Sequence, residues 1–335
     1  MPKIELHRHL EGSLRLETLL SIAVEYDITL PSFSVEGLRP YVQMTSHEPR
    51  SWERFLSKFG VLRQFYRSDS VIKRVTQEVI ADAAADNIKY MELRFTPQAL
   101  NNIVNETFPQ VVEWVCEATK DAAAQHNIRV NLILSMNRHE SIEIGEQVLE
   151  AALQFSNSGV VGIDLAGREA DYPAHPFQAL FERAKSSGLG VTIHAGEWSG
   201  AGSVRDAVDI LHTDRIGHGI RAIEDETLIE KLIEYGTVLE VCPTSNVHSG
   251  VVADLGVHPL TALYRSGVKT TINTDDPLVS DITLSDEIEH VISETTLTLD
   301  DVKQQMLTAA RAAFLPRDER EMLVGQFQEW LYETS

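Results

Sequence analysis

Cysteine is nearly absent: Cys116 and Cys242 are the only two in 335 residues. They exclude a disulfide framework and a zinc ribbon built on thiolates, and a reducing, cytoplasmic setting is the expectation. Cations are also scarce, with 29 Lys and Arg against 50 Asp and Glu and a formal net charge of −21. That balance argues against a nucleic acid or an anionic membrane as partner, since both need a cationic face. No apolar run approaches the roughly 20 residues of a membrane span. The opening "MPKIELHRH" is too polar for a signal peptide. Low-complexity linkers, charge blocks and short repeats are missing. No Gly-rich phosphate fingerprint follows any strand candidate. The H-x-E and P-C-x-x-C pattern of cytidine-type zinc deaminases is absent too. These absences leave an ordinary globular chain and say nothing positive about its function, and its oligomeric state is open.

What is present is an alternation of short apolar runs with longer amphipathic segments. The runs fall at 3–10, 88–95, 129–136, 159–167, 190–197, 214–219, 237–243 and 268–277. Helix-period stretches such as 70–87 and 142–158 lie between them, and several end in Gly or Asn just before the next run. Helices that stop this way and lead into buried strands are βα units. Eight of them predict a (β/α)8 barrel, with a doubly wound sheet as the runner-up. Residues 11–87 are far more than one crossover needs, so extra helices are expected there. The chain reads as one domain over 1–335, with a helical lid inserted over roughly 13–85.

In "IELHRHLEG", residues 4–12, Glu5, His7 and His9 share one face of a strand that ought to be apolar. Barrel active sites sit at the C-terminal ends of strands. His7 and His9 lie at such an end, as do His194 with Glu197, His218, and Asp275 with Asp276. His7, His9, His194 and Asp275 could converge on one point, and three imidazoles with a carboxylate suit a catalytic Zn²⁺. Glu197, in "HAGE", is placed as an acid/base beside the metal; alone it could be a first-turn carboxylate of the next helix. His218, in "RIGHG", could orient a water and accept its proton, or be a satisfied structural histidine. Asp275 and Asp276 diverge, one toward the metal and one toward a ligand; a solvated acidic turn is the bland alternative. The remaining histidines, His248 and His258 included, are read as structural or surface. Glu5 is expected to be paired, with Arg94 as the partner, because an unpaired buried carboxylate is costly. The fourth strand ends "DLAGRE" without the lysine of two-metal hydrolase barrels, so one metal is expected.

The ordered set "ELHRHLEGSL", "YMELRFTP", "GIDLAGRE", "HAGE", "RIGHG", "CPTSN" and "NTDDP" resembles the adenosine deaminase family of the amidohydrolase superfamily, over nearly the whole chain. The resemblance implies a (β/α)8 barrel holding one zinc through His7, His9, His194 and Asp275. It implies hydrolytic deamination of a 6-aminopurine at C6, with Glu197 protonating N1 and His218 positioning the attacking oxygen. Asp276 would bond N7 and the Gly167 N–H would serve N3. Phe55, Leu56 and Phe59 of "SWERFLSKFG" would wall the purine pocket; ordinary helix core is the equal alternative. Glu11 replaces the Asp that many relatives carry near the ribose 5′ end. Such a Glu occurs also in relatives acting on adenine or 5′-modified nucleosides, but "DLAGRE" and "RIGHG" look more like the nucleoside enzymes, so adenosine and 2′-deoxyadenosine are the expected substrates, as against adenine, aminodeoxyfutalosine or another 5′-modified adenosine. A catalytically silent purine-binding barrel and a metal-dependent amide or ester hydrolase are the readings from other classes.

Overall fold

The computed structural model describes residues 1–333. Its eight strands run parallel and follow chain order around one sheet. They are β1 (Lys3–His9), β2 (Ile88–Phe95), β3 (Arg129–Asn137) and β4 (Val160–Ala166), then β5 (Gly190–Ala195), β6 (Arg215–His218), β7 (Val238–Val241) and β8 (Lys269–Ile272). Each falls within or nearly upon an apolar run of the sequence. The sheet closes beyond β8, where Asp275 donates its N–H to His7 O at 2.9 Å and accepts from His9 N–H at 2.8 Å. With helices outside, this is the expected (β/α)8 barrel. The helix Phe108–His126 ends at Asn127 and the helix Glu226–Tyr235 at Gly236, both left-handed caps that turn the chain into the next strand.

Four helices occupy the long segment after β1: α1 (Leu16–Glu25), α2 (Val35–Val42), α3 (Trp52–Leu62) and α4 (Asp69–Ala85). Ser51 and Ser68 cap α3 and α4 by accepting the N–H of Arg54 and Val71. The buried Lys58 ties α3 down through Glu48 (2.7 Å) and Pro40 O (2.7 Å). No described helix is long and apolar enough to cross a membrane.

The barrel interior contains a column of charge. Arg215 lies over the Phe314 ring and donates to Glu92 (2.5 Å), Glu240 (2.6 Å) and Ala312 O (2.8 Å). Arg94 donates to Glu240 (2.7 Å) and Leu6 O (2.7 Å). All four charged groups are buried, so each depends on its partners. Replacing Arg215 by Met leaves the buried Glu92 without a cation and Glu240 with Arg94 alone, and the expected cost is about 3–5 kcal/mol in urea unfolding. A loss below about 1 kcal/mol, the value of an exposed pair, would show that the column is hydrated.

Glu5 is buried and paired as expected, but not with Arg94. Strand register shifts between Glu5 and Arg8, breaking the strict alternation assumed for 3–9. Glu5 accepts the Thr274 N–H (2.8 Å) and hydroxyl, with the Arg8 guanidinium at 3.5 Å.

Candidate active site

The C-terminal ends of β1, β5, β6 and β8 meet at one point. The His7 ring centroid lies 5.3, 4.6 and 5.0 Å from those of His9, His194 and His218. Gly217 permits this crowding, since a Cβ there would lie 2.9 Å from His7 Cε1. Asp275 Oδ1 is 3.3 Å from the Nε2 atoms of both His7 and His9, and His9 Nε2 is 3.2 Å from His194 Nε2. His218 Nε2 faces Asp275 Oδ2 at 3.8 Å and Glu197 Oε2 at 3.5 Å. One set able to hold a metal is His7, His194, His218 and Asp275, whose ligand atoms all lie within 4.8 Å of one another. His9 stands beside it rather than within it. His218 and Asp275 have φ of 61° and 62°, left-handed backbone at residues with a Cβ, a strain tolerated here where both side chains are directed into the site.

Three residues the sequence reading passed over orient these groups. Glu240 Oε2 lies 2.8 Å from His7 Nδ1, and Asp164 Oδ1 lies 2.9 Å from His194 Nδ1. Both are carboxylates inside apolar runs ("VLEV", "GIDLAG"), the same signal that singled out Glu5. Burial alone would raise their pKa values. For Asp164, His194 and Arg94 more than offset it; for Glu240, Arg94 and Arg215 do, and both groups stay well below the usual carboxylate range. Each therefore accepts an Nδ1–H, which leaves the Nε2 lone pairs of His7 and His194 aimed at the centre. The third, Ser245, donates to Asp275 Oδ2 at 2.8 Å.

Glu169 orders the loop after β5. Its buried carboxylate accepts four consecutive backbone N–H groups, from Gly196 (2.5 Å), Glu197 (3.1 Å), Trp198 (2.8 Å) and Ser199 (3.0 Å). Such a run of N–H groups is a nest for one anion. It fixes the peptide that presents Glu197, and Trp198 from the same loop stacks on Trp52 of α3 with centroids 5.7 Å apart.

Above the histidines is a cavity of about 460 Å³. Its lining includes His9, Glu11, Gly167, His194, Glu197, His218, Asp275 and Asp276, with Phe55, Leu56 and Phe59 contributed by α3. His7 lies buried beneath it. Arg63, Asn137, His139, Arg168, Tyr172 and Trp198 also line it. The sequence reading assigned His139 no role, yet it borders the cavity. Gly167 has φ of +85°, which favours a residue without Cβ, and an added Cβ would lie 3.1 Å from Asn137 Oδ1.

The acids in this cavity hold protons more tightly than usual. Burial, then the neighbouring charges of Asp275 and Glu169, push Glu197 well above the usual carboxylate range. Burial and the charges of Asp275, Glu11 and Glu197 do the same to Asp276. Glu11 rises to about 7 through burial, although it accepts the Thr96 N–H at 2.7 Å. Glu11 Oε2, Arg63 Nε, Asp276 Oδ1 and His7 Nε2 are buried without a hydrogen-bond partner. Buried polar atoms are seldom left so, which marks the cavity as a place completed by a ligand and a cation.

The donor set fits a metal. The Nε2 atoms of His9 and His194 lie 3.2 Å apart, His7 Nε2 has no hydrogen-bond partner, and the Asp275 carboxylate faces His7 and His9, a cluster of nitrogen and oxygen donors that a cation between them would satisfy.

The family model described as "Adenosine deaminase" matches residues 2–330. An adenosine deaminase from Clostridium botulinum (strain Langeland) is 37% identical over 331 residues, covering 98% of this chain and 98% of its own length. Among solved structures, an adenine deaminase from Arthrobacter aurescens has a TM-score of 0.90 at 27% identity, covering 98% of this chain and 99% of its own. An amidohydrolase from Burkholderia ambifaria with bound Zn has a TM-score of 0.88 at 25% identity, covering 100% of this chain and 92% of its own.

Proposed function

Because the chain belongs to the adenosine deaminase family, whose members are hydrolytic aminohydrolases, we propose that its substrates are adenosine and 2′-deoxyadenosine. The products are then inosine or 2′-deoxyinosine and ammonia. The observation that carries this reading is the match between the protonation of the cavity and the lone pairs of a purine. N1, N3 and N7 can only accept hydrogen bonds. Glu197 and Asp276, both raised in pKa, keep the protons needed to donate to N1 and N7, and the Gly167 N–H can serve N3.

One zinc ion is assigned to His7, His9, His194 and Asp275, with His7 and His194 fixed as ligands by Glu240 and Asp164. When bound, such an ion lowers the pKa of water from about 15.7 to roughly 7 and so supplies the nucleophile at neutral pH. Glu197 protonates N1, which draws electron density from C6 and opens it to attack. Asp276 and Gly167 hold the ring in register. The α3 wall of Phe55, Leu56 and Phe59 acts as the lid and excludes water from the reacting face. The buried thiols Cys116 and Cys242 suit a reducing, cytoplasmic setting.

Glu11 Oε2 and Arg63 Nε favour a nucleoside over the free base. A sugar hydroxyl can donate to the first or accept from the second, whereas adenine has no hydroxyl. The second reading, a free adenine or 5′-modified adenosine substrate, draws on the similarity to the Arthrobacter aurescens adenine deaminase and on Glu11 itself. Steady-state kcat/KM over adenosine, 2′-deoxyadenosine, adenine, aminodeoxyfutalosine and adenosine 5′-monophosphate separates the two. Adenosine is expected to exceed adenine by about 100-fold or more, since unpaired polar groups in a site exact such ratios. An adenine kcat/KM equal to or above that of adenosine would transfer the assignment to the second reading.

A further inference from the structure

His218 differs from His7 and His194 in what faces its Nδ1. His7 and His194 present Nδ1 to a carboxylate. His218 presents it to the side-chain nitrogen of Asn246, 3.0 Å away. The roles along this contact follow from a backbone group that cannot be reversed. Leu260 opens a short helix (Leu260–Arg265), and its N–H points at His258 Nδ1 at 3.0 Å. An N–H only donates, so His258 Nδ1 accepts and carries no proton. His258 is buried, and burial lowers its pKa to about 3, so the ring is neutral and its one proton is on Nε2. That Nε2–H lies 3.2 Å from Asn246 Oδ1 and donates to it. Asn246 must then turn its NH₂ toward His218 Nδ1. The opposite amide orientation would set the NH₂ against the His258 Nε2–H, two donors face to face. Asn246 is fully buried and His218 nearly so, which leaves no solvent to reverse the direction.

We propose that the Leu260 N–H, His258 and Asn246 form a relay that holds His218 as its Nε2–H tautomer, making Asn246 and His258 positioning residues for the reaction. The assignment rests on the reading that His218 faces the reacting centre. His218 then has no Nε2 lone pair for a metal, although its position admits it to a four-residue set with ligand atoms within 4.8 Å. Nor does it take a proton from water at that nitrogen. It donates a hydrogen bond to the attacking oxygen, orients it and stabilises the charge that develops there. His9, rather than His218, is left as the third imidazole ligand. The relay also explains why a histidine with no group of the site beside it in sequence is buried at 258, and why Asn follows Ser245 in "CPTSN".

Asn246→Asp tests the relay with little change of shape. A carboxylate only accepts, so His218 has to move its proton to Nδ1 to bond it. Nitrogen NMR of the zinc-loaded protein, labelled with ¹⁵N in the imidazole rings, reads the tautomer directly. The expected wild-type pattern is a pyrrole-like Nε2 and a pyridine-like Nδ1 at His218, reversed in Asn246→Asp. kcat for adenosine should fall by about 100-fold or more, as when a catalytic imidazole is held in the wrong tautomer, with KM within about threefold. A pyridine-like Nε2 at His218 in the wild-type protein would overturn the relay whatever the activity, and this spectrum decides the matter if the variant does not fold. A protein that shows the expected tautomer but turns over no aminopurine would retain the relay and lose the proposed function.

Discussion

Glu197→Gln is expected to fold, keep its zinc and bind inosine within a few-fold of the wild-type affinity, while kcat for adenosine falls by about 10³-fold. The substitution preserves size and keeps a hydrogen-bond donor but removes the transferable proton. Glu197 has the environment of a proton donor: buried, 3.5 Å from Ser249 Oγ and from His218 Nε2, and pushed up in pKa by burial and by Asp275. The sign of its pH dependence follows. With the pKa raised by burial, the group keeps its proton to higher pH than an ordinary carboxyl, and activity that needs the proton is lost as pH rises through the raised value. The alkaline limb of kcat should therefore disappear in the variant, leaving only the low residual rate. A Gln variant within tenfold of wild type would remove Glu197 from the chemistry.

Asp275→Asn should be about as damaging by a different route. Position 275 has φ of 62°, which Asn adopts readily, and its backbone closes the barrel between β8 and β1. Asn keeps both features and takes away the one anionic group of the proposed ligand set. Zinc affinity is expected to drop by about 10²-fold or more and kcat/KM by about 10³-fold, partly restored by excess zinc. Thermal stability should also lose its dependence on zinc concentration, since ligand binding to the native state no longer adds to it. Unchanged zinc affinity in a folded variant would take Asp275 out of the ligand set.

The barrel was legible because each buried strand of a βα unit is a continuous apolar run, and eight such runs between helices have few other arrangements. The residues around the reacting centre were legible for a related reason. His7, His194, His218 and Asp275 are polar at places where a strand leaves the core, which strand periodicity marks without knowledge of packing. Their supports were not. Glu240 and Asp164 are visible as acids in apolar runs, but the histidine each one holds is fixed by where two distant strands meet. His258 looked like an unpartnered surface or structural residue because its link to His218 passes through Asn246 and a helix start, a path that no spacing reveals. Glu5 was matched to the wrong arginine because alternation was assumed through a register shift. The α3 wall was half legible: helical spacing grouped Phe55, Leu56 and Phe59, but only tertiary packing turns that face toward the cavity.

The most direct measurement is a zinc titration of metal-stripped protein, with adenosine deamination followed by absorbance and bound zinc by elemental analysis of the same samples. The expected result is a linear rise in rate with zinc that breaks at one equivalent per chain, and release of ammonia equal to inosine formed. A rate independent of zinc, a break at two equivalents, or no turnover of any 6-aminopurine at full zinc occupancy would contradict a one-zinc deaminase.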